Sequence, residues 1–552
     1  MKADLLQQAI SHHQAGELQQ AVPIYQQILV KEPDHADANH LLGLLAHQLG
    51  DHETAAQLVS KAIEKNPAQT LYFCNLGIIR MALQQWDNAI SAFHAALQSS
   101  HGDGKTYSNL GLSLEKTGRC DEAISAYQNA LSLNPGDTET LNRLGNVYSQ
   151  LKRLEEATAT YQRALDINPS SLATLNNLGI ALKDNGMLDE SIIAYRRAVS
   201  ISPERVEIMC NLAMALLDTG QLREAETICQ QALSYNPAYA ATYKQLFDAL
   251  HFQQRTADWD AMLDTALHQA SLSANERNHL LISRAIIAWI HGDLNACESH
   301  QTMAKAILDC PPTDKVTYSA LGYYKFLQAL LIFRQEHPSL YAQSAEETLH
   351  IIGDSHNLSY ADTVITLKGI RHKVASHLIM GCKAWHLARP GMNRFKASFD
   401  CALQQLPHGA TAIISIGEID CRHNEGIFPA HKKYQTDLKS SIESLVHDFV
   451  HYVVNKTREM ELKLIFYGVP APHCSLSHLS NHDRQTFLQV VELFNGCLAN
   501  AALSSHCGFI DVYGQTVTEN GLADGRHHID AFHLSPDFLA HACRQSGMDA
   551  AI

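Results

Sequence analysis

The 552-residue sequence predicts a multidomain chain: an all-α superhelix of repeated helix pairs, then a three-layer α/β domain with a parallel sheet. Three observations carry this expectation. Proline, glycine and small residues recur at a period of 34 through the first 240 residues. From Thr348 the composition turns to short runs rich in Ile, Val, Leu or Phe, most of them ending in Gly. Helical stretches such as 437–456 alternate with those runs, as in sheets covered on both faces. The expected divisions are 1–240 for about seven repeats, 241–346 for a helical cap or connector with degenerate repeats, and 347–552 for the α/β domain.

The period is carried by three tracks in register. Prolines stand at Pro33, Pro67, Pro135, Pro169, Pro203 and Pro237, with His101 in the one skipped slot. Glycines stand at Gly43, Gly77, Gly111, Gly145 and Gly179, and Ala213 takes the next place. Ala21, Ala55, Ala89, Ala123, Ala157, Ser191 and Ala225 form the third track. A glycine on the first helix of a pair, facing a small residue on the second, lets the two approach closely. Proline then ends the second helix, because it has no N–H to donate. A single pair cannot bury its own apolar face, so neighbours must stack. This pattern resembles the tetratricopeptide repeat over about residues 5–240, which implies a helical superhelix that binds protein or peptide ligands.

Composition excludes several classes. A formal charge of −15 and the lack of a basic run argue against nucleic acid or an anionic membrane as partner. The first twenty residues are polar and amphipathic, unlike a signal peptide, and no apolar stretch of about 18 residues suggests a membrane span. Thirteen scattered cysteines without a CxxC pair fit reduced thiols, so a cytoplasmic setting is expected.

Two segments at strand ends bear chemistry. Gly353-Asp354-Ser355-His356 follows the apolar run LHII, with Ser355 expected at the start of a helix. Asp530-Ala531-Phe532-His533 lies near the C-terminus. A serine needs a base to take its proton, and histidine serves at neutral pH when a carboxylate orients it. The order GDS first, DxxH last resembles that of the SGNH (GDSL-type) hydrolases. That resemblance implies Ser355 as nucleophile, His533 as base and Asp530 as its orienting acid. It implies an oxyanion hole from the backbone of Ser355 and of Gly381, which ends SHLIM; Gly391 is the alternative. Gly417-Glu418-Ile419-Asp420 aligns with the family's GxND block, but Ile419 stands where the family has an oxyanion-hole Asn. Arg422, or else Asn424, could supply a replacement donor, with Asp354 and Asp420 as possible support. Otherwise Glu418, Asp420 and Arg422 form a structural ion-pair network. His527, His528, Asp530 and His533, with His423 and His473, also raise a metal centre. The triad accounts for Asp530 and His533, so no metal or cofactor is expected.

A fourth repeat track lies two residues before the glycines: Asn75, Asn109, Arg143, Asn177 and Asn211. An amide offers a donor and an acceptor, matching a peptide backbone. The track resembles the superhelix of the O-linked N-acetylglucosamine transferases, which implies a peptide-binding groove. The leading expectation is a serine esterase or deacetylase recruited to protein or glycoprotein substrates and acting on an acyl ester. An acyltransferase using the same site and a non-catalytic interaction scaffold are the alternatives.

Overall fold

The computed structural model describes residues 2–99, 103–255, 257–269, 272–305, 315–341, 344–473, 476–530 and 532–547. His101, Cys310, Cys474 and Ala531 lie outside them. The chain divides into two compact units, residues 1–203 and 204–552.

The first unit is a run of antiparallel helix pairs, from Lys2–Gln14 with Leu18–Lys31 to Leu172–Asp184 with Leu188–Ile201. The glycine track explains how each pair closes. A Cβ added at Gly111 would lie 2.6 Å from the Tyr127 ring, and at Gly145 2.5 Å from the Tyr161 ring. The bare backbone therefore forms the slot into which the aromatic ring of the second helix fits. The small-residue track is fully buried from Ala21 to Ser191. Ser191 resolves its one buried hydroxyl by donating to the Gly179 carbonyl at 2.7 Å. Second helices stop just ahead of the prolines: Cys120–Leu133 ends at the cap Asn134, next to Pro135.

The second unit opens with further helix pairs, Val206–Asp218 with Leu222–Tyr235 and Ala274–Ile290 with Leu294–Met303 among them. The long helix Lys315–Glu336 leads into the sheet. Its strands are β1 (Glu347–Gly353), β2 (Val364–Leu367), β3 (Ile370–Leu378), β4 (Thr411–Ser415), β5 (Lys463–Tyr467) and β6 (Gly508–Ile510), in the order β2-β3-β1-β4-β5-β6. The sheet is mixed, which corrects the expectation of a parallel one: β2 runs antiparallel to β3, while the other pairings are parallel. The cause is the two-residue turn Lys368-Gly369, whose φ values of 50° and 81° are both positive, as a tight hairpin requires. β3 thus begins at Ile370, well before the SHLIM run.

Alternation along the strands sends side chains to two cores. Ile352, Ile414 and Phe466 pack in one with the helices Leu438–Thr457 and Asn481–Ser504. Ile351, Ile413 and Ile465 pack in the other with Phe538–Gln545. The helix Asn481–Ser504 is long and apolar enough to cross a membrane by length and composition. Its Phe487, Val490, Val491, Phe494 and Leu498 are buried in the first core, which accounts for that apolarity.

Candidate active site

The carboxyl end of β1 makes the first half of the site. Gly353 is required there, because an added Cβ would collide with the Ser415 carbonyl at the end of β4. The chain turns at once: the Asp354 N–H donates to that carbonyl at 3.2 Å, and the Leu358 N–H to the Ser355 carbonyl at 3.1 Å. The expected helix after Ser355 is a single turn, Asn357–Tyr360, so no extended dipole backs the serine. Side chains hold the turn instead. Asn357 Nδ2 donates to the Ile351 and His377 carbonyls, and Trp289 Nε1 donates to the Leu358 carbonyl at 2.8 Å.

The second half is a tight loop closed by a bridge between His528 and Leu534. Asp530 Oδ1 accepts the N–H groups of Phe532 (2.7 Å) and His533 (2.8 Å), which explains the DxxH spacing: one carboxylate shapes the loop and meets the ring. His533 Nδ1 lies 2.8 Å from Asp530 Oδ2, and its Nε2 lies 3.0 Å from Ser355 Oγ. Residues 178 apart in sequence therefore meet in a Ser–His–Asp relay. Ser355 is 5% and His533 8% exposed.

Burial lowers the His533 pKa and Asp530 only partly offsets this, so the ring is neutral and able to accept a proton at neutral pH. For Asp530, burial works against ionisation. The hydrogen bonds and charge of His533, with the two backbone N–H groups, outweigh it and hold the carboxyl well below the usual range.

Sequence reasoning missed three neighbours. His356 Nε2 lies 2.9 Å from the Phe532 carbonyl, tying the serine turn to the histidine loop. Phe326 stacks on the His533 ring, centroids 3.7 Å apart and planes at 11°. Tyr323, on the same helix, packs against the cluster that holds Phe326 and Leu358. Only His356, adjacent to the nucleophile, stood where the motif drew attention.

Gly381 sits in the turn after β3 with φ 72°, and an added Cβ there would meet nothing within 4 Å. The preceding Met380 N–H donates to His251 Nε2 at 3.3 Å. Burial brings the His251 pKa down to about 4, which keeps it a neutral acceptor. Gly391 lies in a separate bend, with φ 80°. Ile419 is buried in the short turn Ile419–Cys421. Asp420 accepts the Ala384 N–H (2.7 Å) and the Trp385 N–H (3.3 Å), capping the helix Ala384–Ala388. Its complete burial pushes its pKa up to about 7 against the pull of those N–H groups. Asn424 is exposed.

Arg422, the expected replacement donor, places Nε 2.8 Å from Glu418 Oε1 and Nη2 2.6 Å from Glu418 Oε2, while Nη1 reaches Glu425 at 3.4 Å. Its guanidinium lies over the Phe532 ring. This matches the alternative ion-pair network in part: Glu418 and Arg422 pair as expected, but Glu425 is the third member and Asp420 caps a helix instead. Donor atoms of Asp354, His356 and Glu418 lie within 4.8 Å of one another, a spacing compatible with a metal ion. Arg422 already neutralises Glu418, and His356, though burial opposes its charge, is favoured as a cation by Asp354 and Glu418. The donor set is thus better matched to an internal ion network than to a metal. His423, His473 and His528 line a small cleft beside Arg422 and Phe532.

In the first unit the amide track lies along successive first helices, each residue partly exposed. Asn75 Nδ2 meets His40 Nε2 at 2.8 Å, Asn177 donates to Asn146 at 3.0 Å, and Arg143 pairs with Glu139. Asn109 is also partly exposed; Asn211 falls in the second unit.

The family model for the cilia and flagella-associated protein 70 C-terminal domain matches residues 2–207, and a tetratricopeptide repeat model matches residues 182–250. Among solved structures the chain is similar to YrrB, described as a TPR protein with an unusual peptide-binding site, at 19% identity over 33% of this chain and 95% of that one, TM-score 0.31. It is similar to the C-terminal part of a TPR repeat-containing protein from Cytophaga hutchinsonii, at 15% identity over 44% and 99%, TM-score 0.39. MamA from Desulfovibrio magneticus RS-1 matches at 19% identity over 31% and 97%, TM-score 0.30. No curated protein matches the chain. The N-terminal part is a tetratricopeptide repeat array.

Proposed function

We propose that the second unit is a serine hydrolase of the SGNH type, an esterase or deacetylase, and that the repeat array recruits its protein or glycoprotein substrates. The observation that carries this reading is the relay from Ser355 Oγ through His533 to Asp530. Ser355 attacks the ester carbonyl while His533 Nε2 takes its proton and Asp530 steadies the imidazolium. The tetrahedral adduct collapses, the alkoxy bond breaks, and the leaving alcohol takes the proton from His533. Water, activated by the same histidine, then releases the acyl group. Free thiols at the described cysteines accord with a cytoplasmic setting.

Labelling with a fluorophosphonate probe tests the reading. The expected adduct lies on Ser355 and is lost in Ser355→Ala and His533→Ala; an unlabelled wild-type protein would remove the hydrolase. A second reading, acyl transfer to a sugar or peptide hydroxyl, is favoured by the burial of Ser355 and His533, since excluding water slows hydrolysis of the acyl-enzyme. The peptide-binding role of the track Asn75, Asn109, Arg143, Asn177 and Asn211, similar to that in the O-linked N-acetylglucosamine transferases, belongs to the same proposal.

A further inference from the structure

β2 pairs with Ile370–Lys373 only, so the end of β3 needs other partners on that edge. The helix Ala240–Phe252, in which the match to the tetratricopeptide repeat model ends, supplies them. The Met380 N–H donates to His251 Nε2 at 3.3 Å, and Gln254 Nε2, just past the helix, donates to the Leu378 carbonyl at 3.0 Å. The alternate residues meet the serine turn instead. The His377 carbonyl accepts Asn357 Nδ2 at 3.3 Å, and the Ile379 N–H donates to the Gly353 carbonyl at 2.7 Å. Residues 377–380 are thus held between the serine turn and a repeat helix. Gln254 is itself fixed: its amide also meets Ser398 Oγ at 3.1 Å, and its carbonyl accepts Gln405 Nε2 at 3.2 Å. It does this from a left-handed backbone, φ 57°, which is uncommon for a residue with a side chain. His251 is buried, and Met380 packs against the cluster of Phe247 and Leu250 from the same helix.

Resting on the hydrolase reading, we propose that His251 and Gln254 are positioning residues, through which a repeat helix sets the end of β3 and the turn of Gly381 against the nucleophile. Two residues beyond the hydrogen bond between Ile379 and Gly353 stand Gly381 on one strand end and Ser355 on the other. A shift of the strand end therefore moves Gly381, the expected backbone donor to the oxyanion, relative to Ser355 Oγ. Such a donor works only within hydrogen-bond range of the oxygen that develops charge, so a displacement of about 1 Å costs rate rather than binding. Neither side chain takes or gives a proton in the reaction. His251 is a neutral acceptor: its Nε2 lone pair meets the Met380 N–H, and burial keeps the ring from charging. Gln254 is a donor to the Leu378 carbonyl. The repeats would thus act on the chemistry as well as on recruitment.

The test measures p-nitrophenyl acetate hydrolysis, fluorophosphonate labelling and melting temperature of the full chain. It compares wild type with Ser355→Ala, His251→Leu, His251→Gln and Gln254→Asn. Leucine fills the site of His251 without an acceptor, whereas the glutamine amide can offer an oxygen where Nε2 stands. Asparagine is too short to reach the Leu378 carbonyl but suits the left-handed backbone, so the fold should be kept. His251→Leu and Gln254→Asn should each lower kcat about 10-fold per folded molecule, with KM little changed, and slow labelling in parallel. His251→Gln should recover most of the loss. Wild-type kcat in the folded fraction of either variant overturns the proposal, as does a loss confined to KM or a His251→Gln as slow as His251→Leu. Should His251→Leu fail to fold, Gln254→Asn decides by the same criterion. If Ser355→Ala is inactive while these variants are normal, only the positioning role fails. If Ser355→Ala retains activity, or wild type takes no label, the hydrolase reading fails and this inference with it.

Discussion

At His533 burial under Phe326 opposes the imidazolium, Asp530 favours it, and burial prevails, leaving the pKa below the ordinary 6.5. The base works only when neutral, so kcat/KM should rise with pH along a limb centred below 6.5 and stay flat above it. A profile of ester hydrolysis from pH 4 to 9 checks this; a limb centred above 6.5 would contradict the burial argument. Arg422 acts on a different quantity. It neutralises Glu418, which is otherwise a largely enclosed carboxylate. Arg422→Ala should therefore cost about 3 kcal/mol of stability, seen as a lower melting temperature, with near-normal turnover in the folded fraction. Adding Glu418→Gln should recover part of the loss. A sharp fall in kcat at unchanged melting temperature would return Arg422 to the oxyanion site.

Among elements, the repeat is governed by a steric pairing that its sequence spells out. Gly145 faces Tyr161 across a helix pair with no room for a methyl group. Gly145→Ala should destabilise by about 1–3 kcal/mol through overpacking, although alanine is the better helix former. Urea denaturation would measure it, and an unchanged midpoint would refute the close-contact account. The sheet was less legible. The parallel strands coincide with apolar runs, most of them ending in Gly, whereas β2 is the four-residue segment VITL that a hairpin returns into β3. Its turn, Lys368-Gly369, lacks the Asn-Gly or Asp-Gly signal that marks such hairpins. The serine turn was legible as a motif, yet its support from Trp289 and Asn357 was not.

For the whole molecule, the proposal assigns recognition to the repeats and chemistry to the second unit. Replacing Asn75, Asn109 and Asn177 together by Ala should weaken binding to a library of unstructured peptides several-fold while leaving p-nitrophenyl acetate hydrolysis unchanged. Parallel loss of both would mean that the track serves stability, as the contacts to His40 and Asn146 allow. The sequence by itself determined the repeat and the chemistry-bearing ends of the strands. Both are written in short-range terms: a 34-residue period of Gly, Ala and Pro, and tripeptides that follow apolar runs. The order of the two motifs implied that Ser355 and His533 meet, and tertiary structure supplies the contact across 178 residues. It also decided that Phe326 of a preceding helix covers the His533 ring, and that Arg422 spends its donors on Glu418. Such meetings depend on which faces pack and which charges are enclosed together, and neither leaves a periodic mark in the chain.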